Sequence, residues 1–196
     1  MVQNYNDFKK YIKADFRSQN KILDIKSFIL DPLVRFTWLL RFNEYLLNSK
    51  KPMAIRFFWL LWFKRLSVRL GFSIPLNVFD QGVAIVHYGL LLIHPNCQIG
   101  KNCRVHMSVS IGGYSGLAHT YKEGEIKPTI IGDNCYISPG AMIFGGITIG
   151  KNSIIAANSV VNKSFENEGV TIGGIPAKIL SEKGSENFLF KGAKTD

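Results

Sequence analysis

Two hydrophobic textures divide the chain. Over residues 1–72 apolar side chains recur at helical spacing, with Phe8, Tyr11, Ile12 and Phe16 on one stripe. Asp31 followed by Pro32 reads as an N-cap and first helical residue, opening an apolar stretch from Leu33 to Leu47. Asn48, Ser49, Lys50, Lys51 and Pro52 break it, and a further helix is expected from about Met53 to Leu70, with Gly71 as its C-cap. From Gly82 onward the period becomes six. Aliphatic residues stand at Ile93, Ile99, Val105 and Ile111, and again at Ile131, Ile137, Ile143, Ile149, Ile155 and Val161. The two series are out of phase, so an insertion lies between them in about residues 113–129, expected as a loop leaving the repeat.

A six-residue period with a leading aliphatic has a direct physical reading. Each hexad is a short strand and a turn, three hexads close one triangular coil, and the aliphatics stack in ladders along the axis. Position two favours glycine, at Gly100, Gly112, Gly132 and Gly150. Position five turns into a tight corner and takes small side chains: Cys97, Cys103, Val109, Cys135, Ala141, Ser153 and Ser159. The expected architecture is mainly β, a parallel β-helix over residues 73–181, preceded by an α-helical region over residues 1–72 and followed by a tail over residues 182–196.

Charge changes the picture only at one end. Residues 1–75 hold fourteen basic and five acidic side chains, and the rest of the chain is nearly balanced. A basic balance along a whole chain points first to nucleic acid; a basic helical segment does not, and no nucleic-acid partner is expected. The longest apolar run, Phe57–Phe63, has seven residues, far below the roughly 20 of a membrane-spanning helix. Met1 to Lys13 shows no apolar core with a cleavage site, so the cytoplasm is the expected compartment. The three cysteines all occupy the corner slot without C-x-x-C spacing, which makes them small buried hydrophobes with reduced thiols.

The hexads, the segment Ile85-Val86-His87-Tyr88-Gly89, the stretch from Ile99 to His106, and the closing Gly174-Ile175-Pro176-Ala177-Lys178 resemble the hexapeptide-repeat acyltransferases with a left-handed parallel β-helix. The likeness is nearest to their serine-acetyltransferase-like branch, including variants associated with capsule and other surface polysaccharides. It covers about residues 72–181. What it implies is a homotrimer, acetyl-CoA as co-substrate lying between neighbouring β-helices, and an acceptor hydroxyl presented to a histidine. The periodicity by itself carries a fold and no reaction, because such helices also serve as non-catalytic scaffolds and as zinc carbonic anhydrases.

An alcohol attacking a thioester needs a base, and neutral imidazole can take that proton near pH 7. His87 matches the catalytic histidine of the resembled enzymes and is the expected general base, with Tyr88 beside it. His106, at position two of its hexad, is placed to line an acceptor pocket; His94, next to Pro95, reads as a solvated turn residue. His119, in the inserted loop, resembles in place the catalytic histidine of the sugar-acetylating branch and is the second candidate base or an acceptor contact. Two departures bear on the acceptor. Phe72-Ser73-Ile74-Pro75 stands where the serine enzymes carry an aspartate that orients their base, and Lys127, before Pro128, stands where they carry a second histidine. A backbone carbonyl is the remaining candidate to orient His87. The histidine separations of 7, 12 and 13 residues lack a close pair, and no metal is expected.

For acetyl-CoA the resemblance implies Pro139, Gly140 and Ala141 near the thioester, Ala157 as a small residue along the pantetheine, Asn162 and Lys163 after the last strand, and Lys178 in the closing motif. Small residues allow an extended pantetheine to bond to backbone groups, and lysines can neutralise phosphates. The expected activity is therefore acetyl-CoA-dependent O-acetyl transfer. A sugar hydroxyl of a surface-polysaccharide precursor stands first as acceptor, L-serine second, and a scaffold without catalysis is the rival from another class. The aromatic, basic helix over residues 53–70 is expected either to pack within the trimer or to lie peripherally on a membrane surface, where a lipid-linked saccharide would be at hand.

Overall fold

In the computed structural model, which describes residues 1–113 and 127–189, helices α1 (Tyr5–Ser18), α2 (Ile25–Leu30), α3 (Pro32–Asn48) and α4 (Met53–Leu70) come first. Three of them start on an Asx cap. Asn4, Asp24 and Asp31 each accept a hydrogen bond from a backbone N–H of the first turn, and Pro32 occupies the first turn of α3. Gly71 ends α4 at φ +77°, the left-handed C-cap conformation that a β-carbon disfavours. The short α2, not among the helices expected from sequence, is marked there only by its Asp24 cap and the spacing of Ile25, Phe28 and Ile29.

Strands of two to five residues follow. They are β1 (Phe72–Ser73), β2 (Ala84–Ile85), β3 (Leu91–Ile93), β4 (Cys97–Ile99), β5 (Arg104–Val105), β6 (Val109–Ile111) and β7 (Thr129–Ile131). Then come β8 (Tyr136–Ile137), β9 (Met142–Ile143), β10 (Thr148–Ile149), β11 (Ile154–Ile155), β12 (Val160–Val161), β13 (Thr171–Gly174) and β14 (Ala177–Ser181). They form three sheets ordered β1-β3-β6-β9-β12, β10-β7-β4 and β14-β13-β11-β8-β5-β2. All pairings are parallel except the β13–β14 hairpin, which ends the stack. From β2 to β12 successive strands therefore visit the three sheets in turn, and the fold is a parallel β-helix.

Hexad aliphatics fall into register as expected. Ile93, Ile111, Ile143 and Val161 form one ladder; Ile99, Ile131 and Ile149 a second; Ile85, Val105, Ile137, Ile155 and Ile172 a third. Each fully buried isoleucine contributes about 2 kcal/mol over an exposed one. The three cysteines are buried free thiols. Those of Cys103 and Cys135 donate to the Gly132 and Gly150 carbonyls of the next coil, and burial pushes the Cys97 thiol up to about 11. The corner before the third sheet repeats a motif: Gly100, Gly132 and Gly150, each followed two residues later by Asn102, Asn134 and Asn152 at φ +55 to +58°. The asparagine amides link coil to coil, Asn102 to Asn134 and Asn134 to Asn152. A β-carbon on Gly132 would stand 2.5 Å from the Lys151 backbone nitrogen, so the glycine is required by coil-to-coil approach.

A buried ionic cluster joins the helices to the first coil. Arg41 of α3, with no exposed side-chain surface, donates to both carboxylate oxygens of Asp15, to Glu44, and to the Phe79 and Asp80 carbonyls. Asp15 in turn accepts from the Gly82 and Val83 N–H groups at 2.7 and 3.0 Å, immediately before β2. One apolar cluster runs from Leu33 of α3 through the interior of all the coils to Ala177. The insertion leaves at the corner between β6 and β7, and the ladder resumes at Ile131.

Candidate active site

His87 sits just beyond β2, on the turn that carries the chain from the third sheet to the first. That turn is held from both sides. Val86 N–H donates to the Val105 carbonyl, Gly89 N–H to the Leu70 carbonyl at the end of α4, and Ser108 N–H to the Leu90 carbonyl. Gly89 takes φ +130°, and Gly71 approaches it so closely that a β-carbon there would stand 3.1 Å from the Gly89 carbonyl carbon. The His87 side chain is exposed, as is Tyr88 beside it.

His106 follows β5 on the next coil, and its ring lies 6.0 Å from that of His87. The run of rings continues outward along the same sheet. Tyr136 of β8 lies 4.9 Å from His106, and Phe188, just past the 3-10 turn Ser185–Asn187, lies 5.1 Å from Tyr136. The tail is fixed there by Ser185, which is fully buried and donates its N–H to the Asn152 carbonyl and its hydroxyl to the Asn134 carbonyl. Burial first, then the Arg104 guanidinium and His87, push the His106 imidazole down to about 4. It is neutral at pH 7, and its buried Nε2 has no hydrogen-bond partner.

The corner that carries His87 continues upward through small residues. Gly140 N–H donates to the Met107 carbonyl and Asn158 N–H to the Pro139 carbonyl, so the turns of Met107, Pro139–Gly140 and Ala157–Asn158 stack coil upon coil. A β-carbon on Gly140 would collide with the Asn158 side chain at 2.0 Å. Ala141, expected beside them, is fully buried and can only pack. Lys178, exposed on β14, pairs in register with Gly173 at the end of the same sheet.

Other candidates lie elsewhere on the chain. Asn162 and Lys163 follow β12 at the next corner, where Lys163 Nζ stands over the Phe165 ring. Lys127 belongs to that corner too, packed so that a β-carbon on Gly146 would meet its carbonyl at 2.8 Å. Within one chain neither Lys127 nor the Asn162–Lys163 pair shares a corner with His87. His94 is an exposed turn residue whose Nδ1 accepts from the Asn96 N–H. His119 falls outside the described residues. In the segment Phe72-Ser73-Ile74-Pro75, the expected counterpart of the aspartate region, Phe72 is buried with its ring 4.8 Å from Phe36. Among the described residues no side chain hydrogen-bonds to His87, and His106 is its ring neighbour. No group of three or more His, Cys, Asp or Glu is placed to hold a metal ion among the described residues.

Three members of the cluster carried no flag in the sequence: Arg104, Tyr136 and Phe188. Arg104 and Tyr136 each occupy the outward slot before a ladder aliphatic and pair across the sheet, so register could have found them. Phe188 has no local signal, because only the fold-back at Ser185 brings it there.

Repeat, ladders and coil define a hexapeptide-repeat protein with the left-handed parallel β-helix fold. Residues 128–163 match the bacterial transferase hexapeptide family model, six repeats. The chain is similar to serine acetyltransferase of Staphylococcus aureus strain Mu50, at 34% identity over 142 residues, covering 71% of this chain and 61% of that protein. It thus spans less than two thirds of the curated relatives it matches first. Among solved structures it shares its fold with serine acetyltransferase from Brucella abortus strain S19, at TM-score 0.68 and 22% identity, covering 92% of this chain and 71% of that one. The same Brucella enzyme in complex with coenzyme A matches at TM-score 0.65 and 21% identity, over 92% and 70% of the two chains.

Proposed function

We propose that this chain is an acetyl-CoA-dependent O-acetyltransferase with His87 as general base. The observation that carries the reading is the position of His87: exposed, at the foot of a corner of small residues, and beside an imidazole held neutral. In the proposed reaction the His87 ring accepts the proton of the acceptor hydroxyl as that oxygen attacks the thioester carbonyl. The carbon–sulfur bond breaks, the imidazolium returns the proton to the departing thiolate, and an ester and free coenzyme A result. A positioned base of this kind contributes about 10²–10⁴-fold.

Pro139, Gly140 and Ala157 offer small groups against which an extended pantetheine can lie, at a corner they share with the exposed side chains of Met107 and Asn158. The corner of Lys127, Asn162 and Lys163 is the complementary edge. Between the two corners the first sheet exposes an apolar strip of Leu90, Leu92, Met107, Met142 and Phe144. A homotrimer covers such a strip by a head-to-tail contact that closes into a ring, and it brings the second corner of one copy to His87 of the next.

L-serine is the first acceptor, supported by the names of the relatives, which reverses the order expected from sequence. A sugar hydroxyl is the second reading. It is favoured by the segment Phe72-Ser73-Ile74-Pro75, which holds no carboxylate, and by Lys127 in place of a histidine. The test is release of thiol from acetyl-CoA against L-serine, a panel of nucleotide sugars and oligosaccharides, and no acceptor, with mass analysis of the product. Serine-dependent release giving O-acetylserine is the expected result; release only with a saccharide favours the second reading, and none with any acceptor leaves a scaffold.

A further inference from the structure

The helical region exposes a surface that acetyl transfer does not use. α4 turns Phe63, Leu66 and Leu70 inward, yet it also exposes large apolar side chains among its outward cations: Met53, Phe57 and Phe58 are 80, 67 and 63% exposed. The neighbouring α2 has no buried residue, and its Ile25, Ile29 and Leu30 are 81, 60 and 68% exposed. Phe28 of α2 joins the two sets, with its ring 6.4 Å from Trp62 of α4 and 5.7 Å from Trp38 of α3. Single exposed apolar residues need no explanation, whereas a contiguous set marks a contact surface.

Its charge selects what it contacts. On the α4 side, between Glu44 and Asp80, the chain holds six basic residues, Lys50, Lys51, Arg56, Lys64, Arg65 and Arg69, and no acidic one, while α2 is balanced, with exposed Asp24 near Lys26 and Asp31 paired with Lys21. Glu44 itself is buried on Arg41. The same sign extends to a groove of about 480 Å³ beside the patch, lined by Phe8, Phe16, Trp38 and Ile22 and rimmed by Lys9 and Lys13. A second copy of the chain docked symmetrically on this face would set these cations against their own duplicates, with no carboxylate on α4 to neutralise them. A bilayer of anionic lipid offers the opposite: negative headgroups for the lysines and arginines, at about 1 kcal/mol for each one near the surface, and an acyl boundary for the aromatic face. No helix among the described residues is long and apolar enough to cross a membrane, so the contact would lie at the surface.

We propose that α2 and α4 form a docking face for an anionic bilayer, with Phe57, Phe58, Met53 and Ile25 entering the headgroup region and Lys64, Arg65 and Arg69 holding the lipid phosphates. The proposal stands independently of the reaction assigned to His87.

Flotation of the full chain with phosphatidylcholine vesicles, with and without phosphatidylglycerol, tests it. The expected result is binding to the anionic vesicles at low salt, at least about tenfold weaker to pure phosphatidylcholine and in high salt. A Phe57→Ser/Phe58→Ser variant and a Lys64→Glu/Arg65→Glu variant should each lose about tenfold or more, with unchanged circular dichroism and unchanged sedimentation mass. Absence of flotation with anionic vesicles at low salt overturns the proposal. So does a fall in sedimentation mass of the Phe57→Ser/Phe58→Ser variant, which would make the face a contact between copies. Thiol release with a soluble acceptor, measured on the same variants, should stay at the wild-type value and separates failure of docking from failure of the proposed reaction.

Discussion

The His106 ring lies 6.0 Å from that of His87, on the neighbouring coil, and the two differ in setting: His87 is exposed, whereas His106 is enclosed by Tyr136 and Arg104. Two adjacent imidazoles do not both carry a proton cheaply, and burial decides that His106 stays neutral. Its pKa falls from 6.5 in an open chain to about 4 in the fold. The folded form therefore takes up the proton less readily than the unfolded form. The contribution of the neutral His106 ring to stability is fully present above about pH 6.5 and is lost as pH falls through about 4. In an NMR titration the His106 ring should remain neutral down to about pH 4. His106→Leu should flatten the fall in melting temperature over the same interval; an unchanged slope would remove His106 from this role.

The Arg41–Asp15–Glu44 cluster lies at zero or one per cent side-chain exposure and ties α1 and α3 to the residues leading into β2. Breaking such a cluster from one side leaves buried charge without a partner. Arg41→Met should lower stability by about 3–5 kcal/mol, read as the midpoint of urea unfolding. A loss under about 1 kcal/mol would mean that the cluster is hydrated and not sealed.

Two glycines separate backbone approach from backbone conformation. Gly132→Ala sets a methyl against the backbone of Lys151 at 2.5 Å, where neither coil can yield, and should cost about 1–3 kcal/mol or more. Gly169 has φ +68° but nothing within 4 Å of a β-carbon, so Gly169→Ala meets only conformational strain, about 1–2 kcal/mol. Thermal unfolding of the pair should place Gly132→Ala at or below Gly169→Ala; the reverse order would contradict the coil spacing.

Much of the β-helix was legible because its cause is periodic. Ile93, Ile111, Ile143 and Val161 must share a ladder once each hexad is a strand and a turn, and the corner slot of Cys103 and Cys135 follows from the same count. The ionic cluster is the opposite case. Asp15 stands on the stripe of Phe8, Tyr11 and Ile12, where a carboxylate signals a buried partner, but nothing local says that the partner is Arg41. The candidate site divides in the same way. His87, Pro139, Gly140 and Ala157, which the resemblance implies, meet at one corner. Lys127, Asn162 and Lys163 lie at another, a separation that becomes visible only when the corners are assigned to sheets. Phe188 reaches Tyr136 through a fold-back with no periodic signature.

The most direct test is thiol release from acetyl-CoA by wild type and His87→Ala at saturating acceptor, with sedimentation and acetyl-CoA affinity measured alongside. The proposed chemistry predicts a fall in turnover of about 10²–10⁴-fold with assembly and affinity unchanged. Turnover within a factor of about two of wild type would contradict His87 as the base and move the assignment to His119.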